Sequence, residues 1–419
     1  MAEKRILLIG GNFYPELTGI GKYNGEMMDW LAAQGNICTV ITTYPYYPDW
    51  KVKTPYNKKA YWFSKDFKQV NADASNPIKI YRCPHFIPAN PSGFTRILSD
   101  ISFCLSATVM VFFLLFKKKY DYVITVSPPF LTGILAIVYK KIKGAKFFYH
   151  VQDLQIDAAA DLQMIKSRLL IRLLFRIERF IMKQADLLSS ISEGMIDRIK
   201  QKAGRERVSF FPNWVDTTLF FPIAEKDRLK EAFGFQATDE VILYSGAIGE
   251  KQGLEAILYT ADSLKNRSGL KFVICGSGPY KKKLEDLKTN LQTENVVFLP
   301  LQPAEKLNGF LNMADVHLVI QKTNASDLVM PSKLTAILAV GGLAVITAPV
   351  KSSLFKIVNN NQIGLLAEPE NQAALTEAIQ KALNPEMGHI NDNARNYAKQ
   401  YLSINEILKK YAQDMASIK

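Results

Sequence analysis

Three stretches in the second half of the chain set glycines, serines or lysines just before a helical pattern. They are Tyr244-Ser245-Gly246-Ala247-Ile248-Gly249-Glu250-Lys251-Gln252-Gly253, Gly276-Ser277-Gly278-Pro279 and Pro331-Ser332-Lys333. A helix start presents unpaired backbone N–H groups and the positive end of its dipole, so it attracts anions. Gly249, Gly276 and Gly278 leave room for a close ligand, while Ser277, Ser332, Lys251 and Lys333 add donors and positive charge. Such groups at one sheet edge suit a nucleotide diphosphate. In the first half, Gly19 and Gly21 at a helix start would admit a phosphate or a sugar hydroxyl. His150, with Asp153 three residues on, ends a strand candidate, where the pair could hydrogen-bond a sugar hydroxyl or accept its proton.

Other chemistries lack their residues. A dinucleotide fold wants closely spaced glycines and an acid ending the second strand. Here Gly11 and Gly19 are eight apart, and the second strand runs out in Thr42-Thr43-Tyr44. There is no GxSxG, HExxH or Walker-type loop, so serine hydrolases, zinc proteases and P-loop ATPases are excluded. Cys38, Cys83, Cys104 and Cys275 stand far apart, which argues against a disulfide framework or a zinc site and for a reducing cytoplasm. No metal and no resident cofactor is expected.

The elements that must hold these residues repeat twice. Apolar runs at 5–10, 38–43, 78–83, 120–126, 145–151 and 187–192 alternate with helical patterns near 20–34, 95–117, 131–143 and 163–185. After Pro212 the rhythm restarts, with strands at 240–246, 271–276, 296–300, 316–321, 343–348 and 364–368. Helices fall near 253–265, 280–290, 303–313, 332–341, 353–359 and 371–383, and 222–240 reads as a polar stretch. Continuous apolar strands alternating with helices specify a parallel sheet covered on both faces. The chain is therefore α/β, with a doubly wound domain over 1–212, a second over 213–395, and a C-terminal helix over 396–419 packing back toward the first. Ligands of such sheets bind beyond the carboxyl strand ends, so two of them are expected to face a central cleft.

Charge is unevenly shared. The net charge is +13; residues 1–212 hold 30 Lys+Arg against 17 Asp+Glu, and residues 213–419 hold 22 of each. The first half should face something anionic. No binding motif or aromatic platform accompanies its basic residues, so nucleic acid is not the expected partner. An anionic membrane surface is. Residues 101–116 form an apolar run followed by Lys117, Lys118 and Lys119, short of the ~20 residues of a spanning helix and closed upstream by Asp100. Between 165 and 183, Arg168, Arg172, Arg176, Arg179 and Lys183 recur every three or four residues, with Leu, Ile and Phe opposite. A helix of that kind lies in the membrane interface, each cation contributing about 1 kcal/mol near anionic lipid.

Longer strings carry a family resemblance over nearly the whole chain. Tyr14-Pro15-Glu16-Leu17-Thr18-Gly19-Ile20-Gly21-Lys22-Tyr23, Trp30-Leu31-Ala32-Ala33-Gln34-Gly35, Pro45-Tyr46-Tyr47-Pro48, Phe210-Phe211-Pro212-Asn213-Trp214, Gly249-Glu250-Lys251-Gln252-Gly253-Leu254-Glu255 and Pro331-Ser332-Lys333-Leu334-Thr335 resemble the GT-B retaining glycosyltransferases of family 4. Within that family they are similar to the colanic-acid fucosyltransferase subgroup. The resemblance implies the GT-B fold and glycosyl transfer with retention. It implies a nucleotide-sugar, GDP-fucose, on the second domain and a lipid-diphosphate-linked oligosaccharide acceptor on the first, at the inner face of the cell membrane. It gives Gly19 and Gly21 to the donor phosphates, and His150 with Asp153 to the acceptor side. Two departures stand out. Ala247 and Gln252 replace the family's usual Arg and Lys, leaving the cation to Lys251 or elsewhere. The paired glutamates would fall near Leu328 and Ala336, neither acidic, with Asp327 beside the first. A GT-B-shaped nucleotide-sugar epimerase, or a non-catalytic membrane scaffold, are the alternatives.

Overall fold

The computed structural model describes residues 3–16, 19–70, 76–161, 167–323 and 331–418. It divides into two compact units, one of residues up to Pro212 with those from Leu408 onward, the other from Asn213 to Ile407.

The first unit is built on one sheet. Its strands are β1 (Arg5–Ile9), β2 (Ile37–Thr43), β3 (Ser64–Lys68), β4 (Ile78–Cys83), β5 (Tyr122–Ser127), β6 (Lys146–Val151), β7 (Leu187–Ser190) and β8 (Ser209–Phe210). Their order is β3-β4-β2-β1-β5-β6-β7-β8. All pairs are parallel except β3 with β4. The chain winds one way from β1 through β2 to β4, then the other way from β5, so the switch point lies between β1 and β5. Leu7, Val40, Ile124 and Phe148 on the central strands are wholly buried, as strands covered on both faces must be. The sequence reading missed β3, whose Ser-Lys-Asp-Phe-Lys lacks an apolar run because it is an edge; buried Arg82 on β4 fastens it through Asp66 at 2.6 Å.

The helices of this unit are α1 (Gly19–Ala33), α2 (Gly93–Leu115), α3 (Thr132–Lys143), α4 (Gln155–Asp161), α5 (Arg168–Gln184) and α6 (Glu193–Ala203). One expectation needs correction. Asp100 does not close the apolar helix: α2 runs through it for 23 residues from a Ser92 capping box. Gln155 Nε2 donates to the Asp100 carboxylate at 2.6 Å, and burial pushes that carboxyl up to about 6, easing a charge within an apolar helix. The helix expected near 163–185 is α5, with 162–166, including Lys166, outside the described residues; the short α4 before it was not expected. Glu178 sets the rotation of α5. It is buried and accepts from Lys202 Nζ on α6 at 2.6 Å, while Lys202 also meets Asp157 on α4. With Glu178, Ile181 and Met182 inward, Arg168, Arg172, Arg176 and Arg179 face outward.

In the second unit, β9 (Glu240–Ser245), β10 (Leu270–Cys275), β11 (Val296–Leu299), β12 (Val316–Val319), β13 (Ala344–Thr347) and β14 (Leu365–Ala367) form an all-parallel sheet in the order β11-β10-β9-β12-β13-β14. Around it lie α7 (Lys226–Ala232), α8 (Glu255–Ser263), α9 (Lys281–Leu291), α10 (Ala304–Asn312), α11 (Ser332–Ala339), α12 (Ser353–Asn361), α13 (Gln372–Ala382) and α14 (Gly388–Tyr397). The period of two along β9 is explicit: Ile242 and Tyr244 join the core under α8, α9 and α13, whereas Val241 and Leu243 join the core under α10. The stretch 222–240, expected to be merely polar, contains α7, docked by buried Lys230 on Asp315 at 2.8 Å. The last helix, α15 (Ile404–Ala416), carries the chain into the first unit, where Tyr411 stacks on Phe211 with ring centroids 3.8 Å apart.

Candidate functional site

Two loops at the carboxyl edge of the second sheet are laced together. Gly246 N donates to Cys275 O and Ile248 N to Ser277 O, each at 2.9 Å. The chains run so close that a Cβ on Gly276 would strike the Gly246 carbonyl oxygen, and one on Gly278 the Ile248 carbonyl oxygen. Gly278 also has φ +156°. These glycines are thus required by backbone approach before any ligand is considered. Ser277 is exposed beside them. Gly249 precedes the short turn Glu250–Gln252, and its N–H donates to Gln252 Oε1 at 3.1 Å, so Gln252 caps the loop rather than supplying charge. Lys251 on that turn is exposed.

Lys333 differs from Lys251 in every respect that matters. It stands in the first turn of α11, after exposed Ser332, and its ammonium nitrogen is buried with no hydrogen-bond partner among the described residues. Nζ lies 3.8 Å from the centroid of the Tyr244 ring, and a Cβ on Gly246 would come within 3.6 Å of it. The Tyr244 hydroxyl is occupied elsewhere, donating to Ala247 O at 2.7 Å. Removal from water pulls the Lys333 ammonium down to about 7. A cation held over an aromatic face, with no counter-ion among the described residues, is set to gain strongly from an arriving anion. Lysines near a carboxyl strand edge are legible in sequence; this burial is not. Asp327 and Leu328 lie outside the described residues, and Ala336 packs against the core from α11.

The corresponding loop of the first unit is organised around a group the sequence reading did not single out. Glu16 is buried, its Oε1 accepting from Tyr46 N at 2.9 Å and Tyr47 N at 2.8 Å, its Oε2 from Asn12 Nδ2 at 2.9 Å. Burial nevertheless raises its carboxyl above the usual range, against the lowering by those donors. Gly21 is glycine here because a Cβ would sit 2.8 Å from the Glu16 side chain. Gly19 begins α1 with φ +57°, exposed near the Tyr47 ring. Arg82 ties the same loop to β2, donating to Tyr14 O at 2.9 Å and Thr43 O at 3.1 Å.

His150 lies within β6 and is only 2% exposed, Nδ1 sharing a 3.0 Å hydrogen bond with Ser189 Oγ on β7 and the ring edge-on to Phe211. Burial pulls its imidazole down to about 3, so it is neutral at physiological pH. It can orient a hydroxyl; it does not bring a positive charge. Asp153 is exposed, on the loop between β6 and α4.

Comparisons with known proteins place this geometry. A family model described as glycosyl transferases group 1 matches residues 225–401, and one described as a glycosyl transferase 4-like domain matches residues 18–214. A protein of Escherichia coli (strain K12) named for colanic acid biosynthesis, the glycosyl transferase WcaI, is 38% identical over 98% of this chain and 99% of its own. Among solved structures, sucrose-phosphate synthase from Thermosynechococcus elongatus superposes with a TM-score of 0.75 at 16% identity, over 99% of this chain and 98% of that one. Anabaena Alr3699/HepE, in complex with UDP, gives 0.71 at 14% identity, over 99% of this chain and all of that one.

Proposed function

This chain belongs to the group 1, family 4-like GT-B glycosyltransferases, and from that premise we propose that it moves fucose from GDP-fucose, with retention of configuration, onto a lipid-diphosphate-linked oligosaccharide of a colanic-acid-type exopolysaccharide. The observation that carries the donor side is Lys333, a buried ammonium without a partner among the described residues, beside the interlaced Gly246 and Gly276 loops. UDP in the Anabaena neighbour supports a nucleotide donor of some kind, and the naming of the Escherichia coli relative supports the polymer.

On this reading the donor diphosphate binds the second unit, with Lys333 as its counter-ion and Gly249, Gly276, Ser277, Gly278, Ser332 and Lys251 around it. Cleavage of the anomeric C–O bond leaves negative charge on the departing diphosphate, and a preorganised cation there lowers the barrier. The acceptor hydroxyl enters on the same face, its oxygen bonding to the anomeric carbon and its proton passing to the departing phosphate oxygen. No metal is called for where fixed positive groups carry that charge. His150 and Asp153 orient the acceptor sugar, and Gly19 and Gly21 let the first loop approach the donor phosphates and the sugar being transferred. The enzyme works at the cytoplasmic face of the cell membrane, where its acceptor is anchored, with the basic first half toward anionic lipid.

A thermal-shift panel of GDP- and UDP-sugars tests this directly, because a ligand that binds only the folded state raises its stability by mass action. GDP-fucose should give the largest shift. A response confined to UDP-sugars would remove the fucosyl assignment, and silence toward every nucleotide-sugar would remove the transferase mechanism built on Lys333.

A further inference from the structure

The outer surface of the first unit carries a feature that sugar transfer does not use. Helices α2 and α3 pack together, α3 packs against α5, and each turns large apolar side chains to the outside. On α2, Phe103, Ala107, Val111 and Leu114 are buried, while Leu105, Val109, Phe112 and Phe116 on the other side are 53–74% exposed. These four recur at intervals of three or four residues, so they form one stripe along the helix. Ile134, Val138 and Ile142 make a second outward row on α3. On α5, Leu169, Leu173 and Phe180 are exposed alongside the arginine row rather than all lying opposite it, which corrects the simpler division expected from sequence. Monomeric soluble proteins rarely leave rows of this kind open.

Cations border the apolar rows. Lys117, Lys118 and Lys119 follow the end of α2, Lys141 is exposed on α3, and Arg168, Arg172, Arg176, Arg179 and Lys183 line α5. None of these forms an ion pair with a carboxylate among the described residues. Although α2 is long and apolar enough to cross a bilayer, it joins β4 to β5 of a single sheet and packs on β2, β4 and α3. It is therefore a helix of the unit's surface, not a span.

We propose that the outward rows of α2, α3 and α5 together form a seat for an anionic phospholipid monolayer, the apolar side chains entering the acyl region and the lysines and arginines meeting the headgroups. Apolar residues alone would suit a second copy equally well. A two-fold pairing through this face, however, would bring the same cationic rows against themselves, which costs energy that a negative surface returns. The inference rests on the lipid-linked acceptor proposed above and names the surface that would reach it.

Flotation with vesicles of phosphatidylcholine alone and of phosphatidylcholine with 30% phosphatidylglycerol tests it without any nucleotide. The full chain should bind the anionic vesicles at least tenfold better than the neutral ones. Val109→Ser with Phe112→Ser, both exposed, should lower that binding at least tenfold while the melting temperature and the nucleotide-induced shift stay put. Arg172→Gln with Arg176→Gln should weaken binding and make the remainder less sensitive to salt. Equal binding by the Ser variant, no preference for anionic vesicles, or a dimer that the Ser variant dissociates would each overturn the proposal. Failure of the unsubstituted chain to bind either kind of vesicle, with its nucleotide shifts intact, would count against this surface and leave the transfer reaction standing.

Discussion

The same construction, a glycine-bearing loop between the first strand of a sheet and its first helix, appears once in each unit and ends in opposite electrostatic states. In the first unit the loop closes on an anion of its own: the Glu16 carboxylate takes hydrogen bonds from Tyr46 N, Tyr47 N and Asn12 Nδ2. In the second, the loop lies against a cation, Lys333, whose nitrogen has no partner among the described residues. A satisfied buried charge holds a loop in shape. An unsatisfied one favours whatever brings the missing charge. The difference teaches that glycine spacing alone does not tell the two loops apart; the balance of buried charge does.

Removing Lys333 should break the comparison most severely. Lys333→Ala is expected to lower kcat by about 10²–10³-fold, as loss of a transition-state electrostatic contact does. The melting temperature should hold or rise, because the substitution removes a buried ammonium that has no partner among the described residues. A variant as active as the parent would mean that the cation serves only the fold.

Glu16→Ala should do the reverse. It leaves the Tyr46 and Tyr47 N–H groups and Asn12 without their acceptor and should cost about 1–3 kcal/mol of stability, read by denaturant titration. On the proposed reading nucleotide-sugar binding rests mainly on the other unit, so its thermal shifts should persist in the folded fraction. Lost nucleotide binding with unchanged stability would invert the roles assigned to the two loops.

The smallest effect is expected at Lys251. Its side chain is exposed, and exposed ionic contacts contribute about 0–1 kcal/mol, so Lys251→Ala should weaken nucleotide affinity by no more than about fivefold. A loss as large as that for Lys333→Ala would move the diphosphate contact to the turn at Glu250–Gln252.

Much of the fold was legible because buried parallel strands must be continuous apolar runs: all six strands expected in the second half are present, each within two residues of its observed ends. The elements that escaped are those whose burial comes from elsewhere. Edge strand β3 reads as polar, and α7 hides its docking in an ion pair between Lys230 and Asp315, 85 positions away. At the candidate site, Lys333 and the glycines were visible as residue types, but the approach of Tyr244 to Lys333 depends on β9 lying against α11's starting turn. Glu16 passed unnoticed for the same reason. Its partners at Tyr46 and Tyr47 are 30 and 31 residues distant, joined to it only by the path of β2.

Lys333 also gives the most direct test of the central claim. Burial holds its ammonium down to about 7 in the free protein, and a bound diphosphate should draw it upward again, so binding takes up a proton above that pH. Calorimetric titration with GDP at pH 6.5 and 8.5, in buffers of differing ionisation enthalpy, should show weaker binding and proton uptake at the higher pH. Lys333→Met should bind at least tenfold more weakly, with no proton uptake. GDP affinity that is the same for both proteins and unchanged between the two pH values would contradict the claim that this buried cation awaits the diphosphate.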